Sequence, residues 1–210
     1  FFKQKTAYEM LRSLVGSGTL EVWDIASKTV QKVVEAVGSQ ISTPQWTPDG
    51  KKIVVVDNDS VSSRSFEGYN KLRVIDLGTK SGTFYPVGDA PRQISDREEG
   101  AAVVSPDGSK VAFVMDSVLH VMPLKADGSP DGPAKAITTE AADLPSWAGD
   151  SRTLLYKAAD KLKTIGADGA GATEVPVSLT WKQAASQGTT VVRAGQLWSG
   201  KDGQLQNDVD

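Results

Sequence analysis

The sequence predicts an all-β chain, a partial β-propeller of about 3–4 four-stranded blades. Three observations carry that reading. The hydrophobic residues, 39% of the 210, come mostly in short β-branched runs rather than long helical stripes. One segment recurs without gaps, as PQWTPDGKKIVVV (Pro44–Val56), AVVSPDGSKVAFV (Ala102–Val114) and PSWAGDSRTLLYK (Pro145–Lys157). Each copy leads into further strand-like runs, and the whole unit returns at about 40–50 residues, the period of a blade.

Taken in order, residues 1–16 stand apart. FFKQKTAYEMLRSLVG lacks an initiator methionine, is basic, and places Tyr8, Leu11 and Val15 at helical intervals. The apolar core and small-residue cleavage site of a secretory signal are not in it. The segment resembles translated sequencing-adapter read-through and is set aside as non-native. With an ending on Val209-Asp210 as if a strand were starting, it suggests a fragment of a longer protein.

Residues 17–182 hold the blades. Leu20–Ile25 and Val30–Val34 read as the last two strands of a first blade. In each repeat a bulky residue (Trp46, Val104, Trp147) precedes a four-residue turn whose aspartate is Asp49, Asp107 or Asp150. In Thr47-Pro48-Asp49-Gly50 and Ser105-Pro106-Asp107-Gly108 the proline pre-sets φ, the aspartate tolerates the bridge region, and glycine closes the turn. Ala148-Gly149-Asp150-Ser151 keeps the aspartate and loses the proline, a degraded copy.

The strand after each turn starts at Ile53, Val111 or Leu154 and is apolar on both faces, as expected of sheets stacked face to face. A third strand (Lys71–Leu77, Val118–Leu124, Lys161–Ile165) and a fourth (Thr83–Val87, Ala134–Thr138, Thr173–Val177) complete each unit. The extra length of the first full repeat lies in Asp57–Asn70, which should share a face with the inter-blade connection Gly88–Gly100. One face then carries long polar loops and the other tight turns.

Net charge is −3 with both signs interspersed, so there is no basic field for nucleic acid. Zero cysteines excludes disulfides and Cys-ligated zinc. No apolar run approaches the ~20 residues that span a bilayer.

The turn following tryptophan, with the strands Val22-Trp23-Asp24-Ile25 and Val74-Ile75-Asp76-Leu77, resembles the TolB-like, WD-repeat-like β-propeller over about residues 18–182. After a linker at 183–189, residues 190–210 are similar to the first β-hairpin of amidohydrolase-superfamily enzymes. There a strand ending in Gly195-Gln196-Leu197-Trp198-Ser199-Gly200 and a following Asn207-Asp208-Val209-Asp210 would start the small β-sandwich before the catalytic barrel. That resemblance implies a parent enzyme hydrolysing amide or cyclic-amide C–N bonds with a divalent, zinc-like metal in a barrel beyond this chain. It also implies export to the periplasm or outside the cell. The partners it implies are intramolecular, further blades and the barrel, or an oligomer that covers the same faces. Two alternatives remain open: a TolB-like protein-interaction scaffold, and the propeller of a serine peptidase.

No catalytic, cofactor-binding or metal-ligating residue is assigned in this chain. His120, the one histidine, sits in a strand and reads as structural. A Ser-His-Asp triad lacks a G-x-S-x-G elbow. Asp57–Ser60 lacks the glycine and distal glutamate of a calcium loop and reads as a solvated loop. Gly166–Gly171 joins two strands rather than opening a helix, so it is not a phosphate cradle. Asp96–Glu99 reads as solvated loop, and Trp23, Trp46, Trp147 and Trp198 as packing. A chain of this kind should expose an apolar blade face and an open ladder edge, and should associate unless another element covers them.

Overall fold

The computed structural model describes residues 19–35, 43–59, 68–89, 92–95, 102–182, 185, 187–201 and 203–209. Residues 1–16 lie outside this set. The chain forms two compact units, Phe1–Val177 and Ser178–Asp210. The described residues contain strands and no helix.

The first unit is a succession of antiparallel meanders. A two-stranded sheet, β1 (Thr19–Asp24) and β2 (Thr29–Glu35), comes first. Three four-stranded sheets follow: β3 (Gln45–Trp46), β4 (Lys52–Asn58), β5 (Asn70–Asp76), β6 (Ser81–Tyr85); β7 (Ala102–Val104), β8 (Lys110–Met115), β9 (Val118–Pro123), β10 (Lys135–Ala136); and β11 (Asp143–Trp147), β12 (Thr153–Ala158), β13 (Lys161–Gly166), β14 (Thr173–Val175). Within each sheet every strand pairs with its neighbour in sequence. This is the all-β, partial-propeller architecture the repeats foretell.

Second strands carry the stacking. Alternate residues of β4 enter two different cores: Ile53 and Val55 pack with Leu20, Val33 and Ile75, while Val54 and Val56 pack against Val111, Phe113 and Met115. β8 does the same, its Ala112 facing Leu154, Tyr156 and Ile165 on the opposite side. The double apolar faces seen in the sequence are therefore two interfaces per strand. β12 differs. Leu154 and Tyr156 are buried, but Leu155 and its neighbour Leu162 on β13 are 36% and 38% exposed, so this sheet presents an apolar outer face.

The repeated turns form hydrogen-bonded units. Gly50 N donates to Thr47 O at 2.9 Å and Gly108 N to Ser105 O at 2.8 Å, closing the four-residue turns. The first-position hydroxyl completes each: Ser105 Oγ donates to Asp107 Oδ1 (2.6 Å) and accepts from Lys110 N (3.0 Å), as Thr47 does with Asp49 and Lys52. In the third copy Ala148 has no hydroxyl, and Thr153 Oγ1 donates to Asp150 instead, at 2.8 Å.

Successive turns also touch. Gly108 has φ +72°, and a Cβ there would meet Pro48 Cγ of the previous sheet at 2.1 Å. One sheet further on, Ser151 takes the equivalent position at φ 56°, and its hydroxyl accepts Asp107 N at 3.0 Å. The serine that marks the degraded copy thus replaces a close approach with a hydrogen bond.

The separation of long loops from tight turns is incomplete. β8 and β9 are joined by the two-residue turn Asp116-Ser117, both at positive φ, the type I′ geometry whose twist matches a hairpin. That turn lies at the end expected to carry long loops. The opposite end carries the long connection from Leu124 to Ala134, folded on itself through Lys125 N→Ser129 O and Asp131 N→Pro123 O, both 2.8 Å. Between the second and third sheets, Ile94 N donates to Asn70 O (2.9 Å) and Ser95 N to Val114 O (2.8 Å), pinning the described part of the connection to both.

The second unit contains one hairpin, β15 (Ala194–Trp198) and β16 (Leu205–Val209). Gln196 Nε2 donates to Asn207 Oδ1 across it at 3.1 Å. Its strand starts at Ala194, with Val191 and Val192 exposed ahead of it. Trp198 is 66% exposed rather than packed, because a two-stranded ribbon has no facing layer of its own.

Two outcomes follow. Gly108→Ala should destabilise the chain by about 1–3 kcal/mol from backbone strain and the clash with Pro48, and combining it with Pro48→Ala should cost less than the sum of the two, read by urea denaturation. Desolvation opposes ionisation of Asp107, but hydrogen bonds from Ser105 and Ser109 and the charge of Lys110 outweigh it and bring its pKa from 3.8 to about 2. The unfolded carboxyl takes up its proton first, so stability is full above pH 3.8 and falls as pH drops toward 2. Asp107→Asn should flatten that part of a melting-temperature profile between pH 5 and 2.

Candidate functional site

Among the described residues a cleft lies between the second and third sheets. The segment Pro86–Asp89 after β6 forms one wall, the β8–β9 hairpin the floor, and Pro130–Ala134 before β10 the far side; the volume is about 310 Å³. Two prolines in the far wall and a β10 of two residues keep the outer ladder short there.

His120 sits in this floor. It is buried on β9, its ring stacked on that of its cross-strand partner Phe113 with centroids 6.0 Å apart and planes 5° from parallel. Nδ1 lies 3.0 Å from Val118 O. A carbonyl can only accept, so the proton is on Nδ1 and Nε2 keeps its lone pair. Desolvation lowers the imidazole pKa below 6.5; the bond to Val118 and the charge of Asp116 act the other way, and Arg92 adds to the lowering. Arg92 and Asp116 are themselves paired at 3.3 Å, both half-exposed.

The acidic stretch at Asp57–Ser60 is already committed. Asp57, 1% exposed, binds Arg73 Nη1 at 2.5 Å, and Asp59 pairs with Lys71 and accepts Tyr69 N at 2.7 Å. With both carboxylates neutralised by the chain's own cations, little is left for calcium. Ser60 lies outside the described residues, as do Asp96–Glu99. The glycine-rich connection spends its donors internally: Gly166 N on Ala170 O, Gly169 N on Gly166 O and Ala170 N on Asp168 Oδ1. A phosphate would find no free nest there.

Two polar clusters escape sequence reasoning because their members are far apart in the chain. Arg73 is buried with Asp57, its guanidinium 5.0 Å above Phe84 and its Nε without a partner. Glu140, in the segment entering the fourth sheet, accepts Lys163 Nζ at 2.7 Å and Tyr156 Oη at 2.9 Å. Desolvation, then Glu140, push the Tyr156 hydroxyl up to about 12, so it stays a donor and ties the connection to β12. A lysine and a tyrosine at facing strand positions were the one available signal.

Among the described residues no three His, Cys, Asp or Glu side chains converge as a metal cluster. The divalent metal that the amidohydrolase resemblance implies does not fit the side chains of the described residues. No described helix is long and apolar enough to cross a membrane, which leaves β-barrel insertion unaddressed.

No family model matches the sequence, and no curated protein matches it. Solved structures do. TolB from Acinetobacter baumannii aligns with 77% of this chain and 38% of its own at 15% identity and a TM-score of 0.53. Dihydro-heme d1 dehydrogenase NirN, in complex with DHE, aligns with 77% of this chain and 33% of its own at 19% identity and a TM-score of 0.54. The chain spans 38% of the length of the first and 33% of the second. At these identities the likeness establishes the TolB-like propeller fold and nothing about activity.

The buried pair yields a clear outcome. Asp57→Ala, which strands the Arg73 guanidinium, should cost about 3–5 kcal/mol in chemical denaturation. The double replacement Asp57→Leu with Arg73→Met should recover most of that loss, because no uncompensated charge remains.

Proposed function

We propose that this chain is a non-catalytic propeller module of an exported, metal-dependent amidohydrolase, acting on amide or cyclic-amide C–N bonds elsewhere in the protein. The observation that carries the non-catalytic part is that the polar clusters of the described blades close on themselves. Asp57 is matched by Arg73, Glu140 by Lys163 and Tyr156, and the turn aspartates by backbone N–H groups. These groups hold loops in place, and none is poised to transfer a proton or attack a carbonyl.

The amidohydrolase part rests on the hairpin. Ala194–Trp198 and Leu205–Val209 belong to a compact unit of their own, not to a propeller sheet. Leu197, Trp198 and Leu205 stand exposed on it. A two-stranded ribbon with that much uncovered apolar surface needs a further layer, as the opening strands of a β-sandwich would. The propeller's role would be to restrict access to the catalytic domain or to position substrate before it. A free-standing scaffold working through protein contacts is the second reading, favoured by the exposed Leu155 and Leu162.

Recovering about 100 further residues of coding sequence from the same locus tests this. The proposal expects a strand carrying His-x-His within several tens of residues, as the metal-dependent barrel requires. A G-x-S-x-G elbow there, or a stop codon, would overturn it in favour of a serine peptidase or a scaffold. This chain alone, with zinc added, should hydrolyse neither dipeptides nor cyclic amides above background.

A further inference from the structure

We propose that the cleft between the second and third sheets binds a small neutral phenol, its ring lodged against the proline walls and its hydroxyl donated to Nε2 of His120. This goes beyond the reading above and does not depend on it.

The open valence is on the histidine. His120 is 6% exposed and lines the cleft. One ring face lies on Phe113, and Nδ1 is spent on Val118 O at 3.0 Å. That leaves the Nε2 edge, an acceptor without a partner among the described residues, toward the cleft. Buried polar groups are nearly always paired, so an acceptor left open in a cleft floor points to something that fills it. The bond to Val118 also fixes the tautomer, and burial keeps the ring neutral, so Nε2 is held ready to accept.

The surroundings select the donor. Val87, Ala134 and three prolines, Pro86, Pro130 and Pro133, give the cleft an apolar lining. The prolines carry no N–H, so they offer a bound group nothing but carbonyl oxygens and flat ring surfaces. Arg92 is matched by Asp116 at 3.3 Å, and Asp89 adds a negative charge, which turns anions away. An ammonium group would lose its hydration against this apolar lining at high cost. What remains is a neutral O–H or N–H on an apolar body. A phenol has the stronger donor than an aliphatic alcohol, and its flat face suits the prolines. The volume, about 310 Å³, lies at the small end of the range for ligand clefts, about 300–1,000 Å³, and suits a single ring.

The test uses the whole chain labelled with ¹⁵N at histidine. There is one histidine, so the ring nitrogen signals need no assignment. Phenol is titrated in, with anisole and benzoate as separate arms. The proposal expects phenol to move the Nε2 signal saturably, and anisole, which has no O–H, to bind about tenfold more weakly, the effect of one hydrogen bond. Equal binding of anisole would overturn it and leave an apolar groove. Stronger binding of benzoate would overturn it in favour of an anion site at Arg92, and no saturable shift with phenol would end it outright. A second variant locates the site. Gly88 has no positive φ, and a Cβ there would stand 3.4 Å from Arg92 Cδ and 3.5 Å from Met115 Cε, ordinary contact within the lining. Gly88→Leu should therefore occupy the cleft and abolish the phenol shift. A shift of unchanged affinity in that variant would equally sink the assignment. If the variant does not fold, the phenol and anisole arms on the unaltered chain decide.

Discussion

A β-strand buried on both faces cannot be satisfied by its own sheet. β4 and β8 each send alternate side chains into two separate cores, so neither sheet is complete without neighbours on both sides. Fully burying a valine, isoleucine or phenylalanine contributes about 1.5–3 kcal/mol, and Ile53, Val54, Val55, Val111 and Phe113 are all essentially inaccessible. Sheet-on-sheet stacking follows from that requirement. So does the exposed outer face at Leu155 and Leu162, where the described unit supplies no further layer.

Apolar contact alone would let neighbouring sheets slide, because valine against valine is nearly indifferent to a small shift. The turns supply the fixed points. Pro48 against Gly108 admits no side chain between them, and Ser151 against Asp107 is a directional bond. The Lys52–Asp127 pair, at 3.3 Å and solvent-accessible, adds little energy but marks the same line of contact. The buried Arg73–Asp57 pair works differently. With Nε unbonded, it is poor value as stabilisation, and its effect is to hold β4 and β5 in one register where every other inward group is apolar.

Much of this was legible in the chain, and the reasons are local. The Pro-Asp-Gly turns announce themselves by backbone chemistry, and the strands after them by β-branched runs, so β4, β8 and β12 fall where the repeat places them. Fourth strands were harder. They lie at the outer edge, half in water, where hydrophobic pattern is weak; the expected Ala134–Thr138 shrinks to Lys135–Ala136 behind Pro133. In the connection from Leu124 to Ala134 the Asp-Gly pairs at 127–128 and 131–132 mark turns, but do not reveal that the loop folds back through Lys125 N→Ser129 O and Asp131 N→Pro123 O. In the site, His120 could be placed on its strand, but not beside Met115, since that proximity depends on a two-residue hairpin turn without glycine. Ion pairs joining distant residues, such as Glu140 with Lys163, leave no trace in sequence order.

Each of the three hydrophobic clusters joins one sheet to the next and reaches no further. The fold is thus energetically a chain of couplings, closer to a row of dominoes than to a single globule. Loss of order should begin at the two end sheets, each clasped from one side, and travel inward by whole sheets, giving graded protection of backbone amides rather than a single global value. Such a body can gain or shed a repeat over evolution with its remaining members intact.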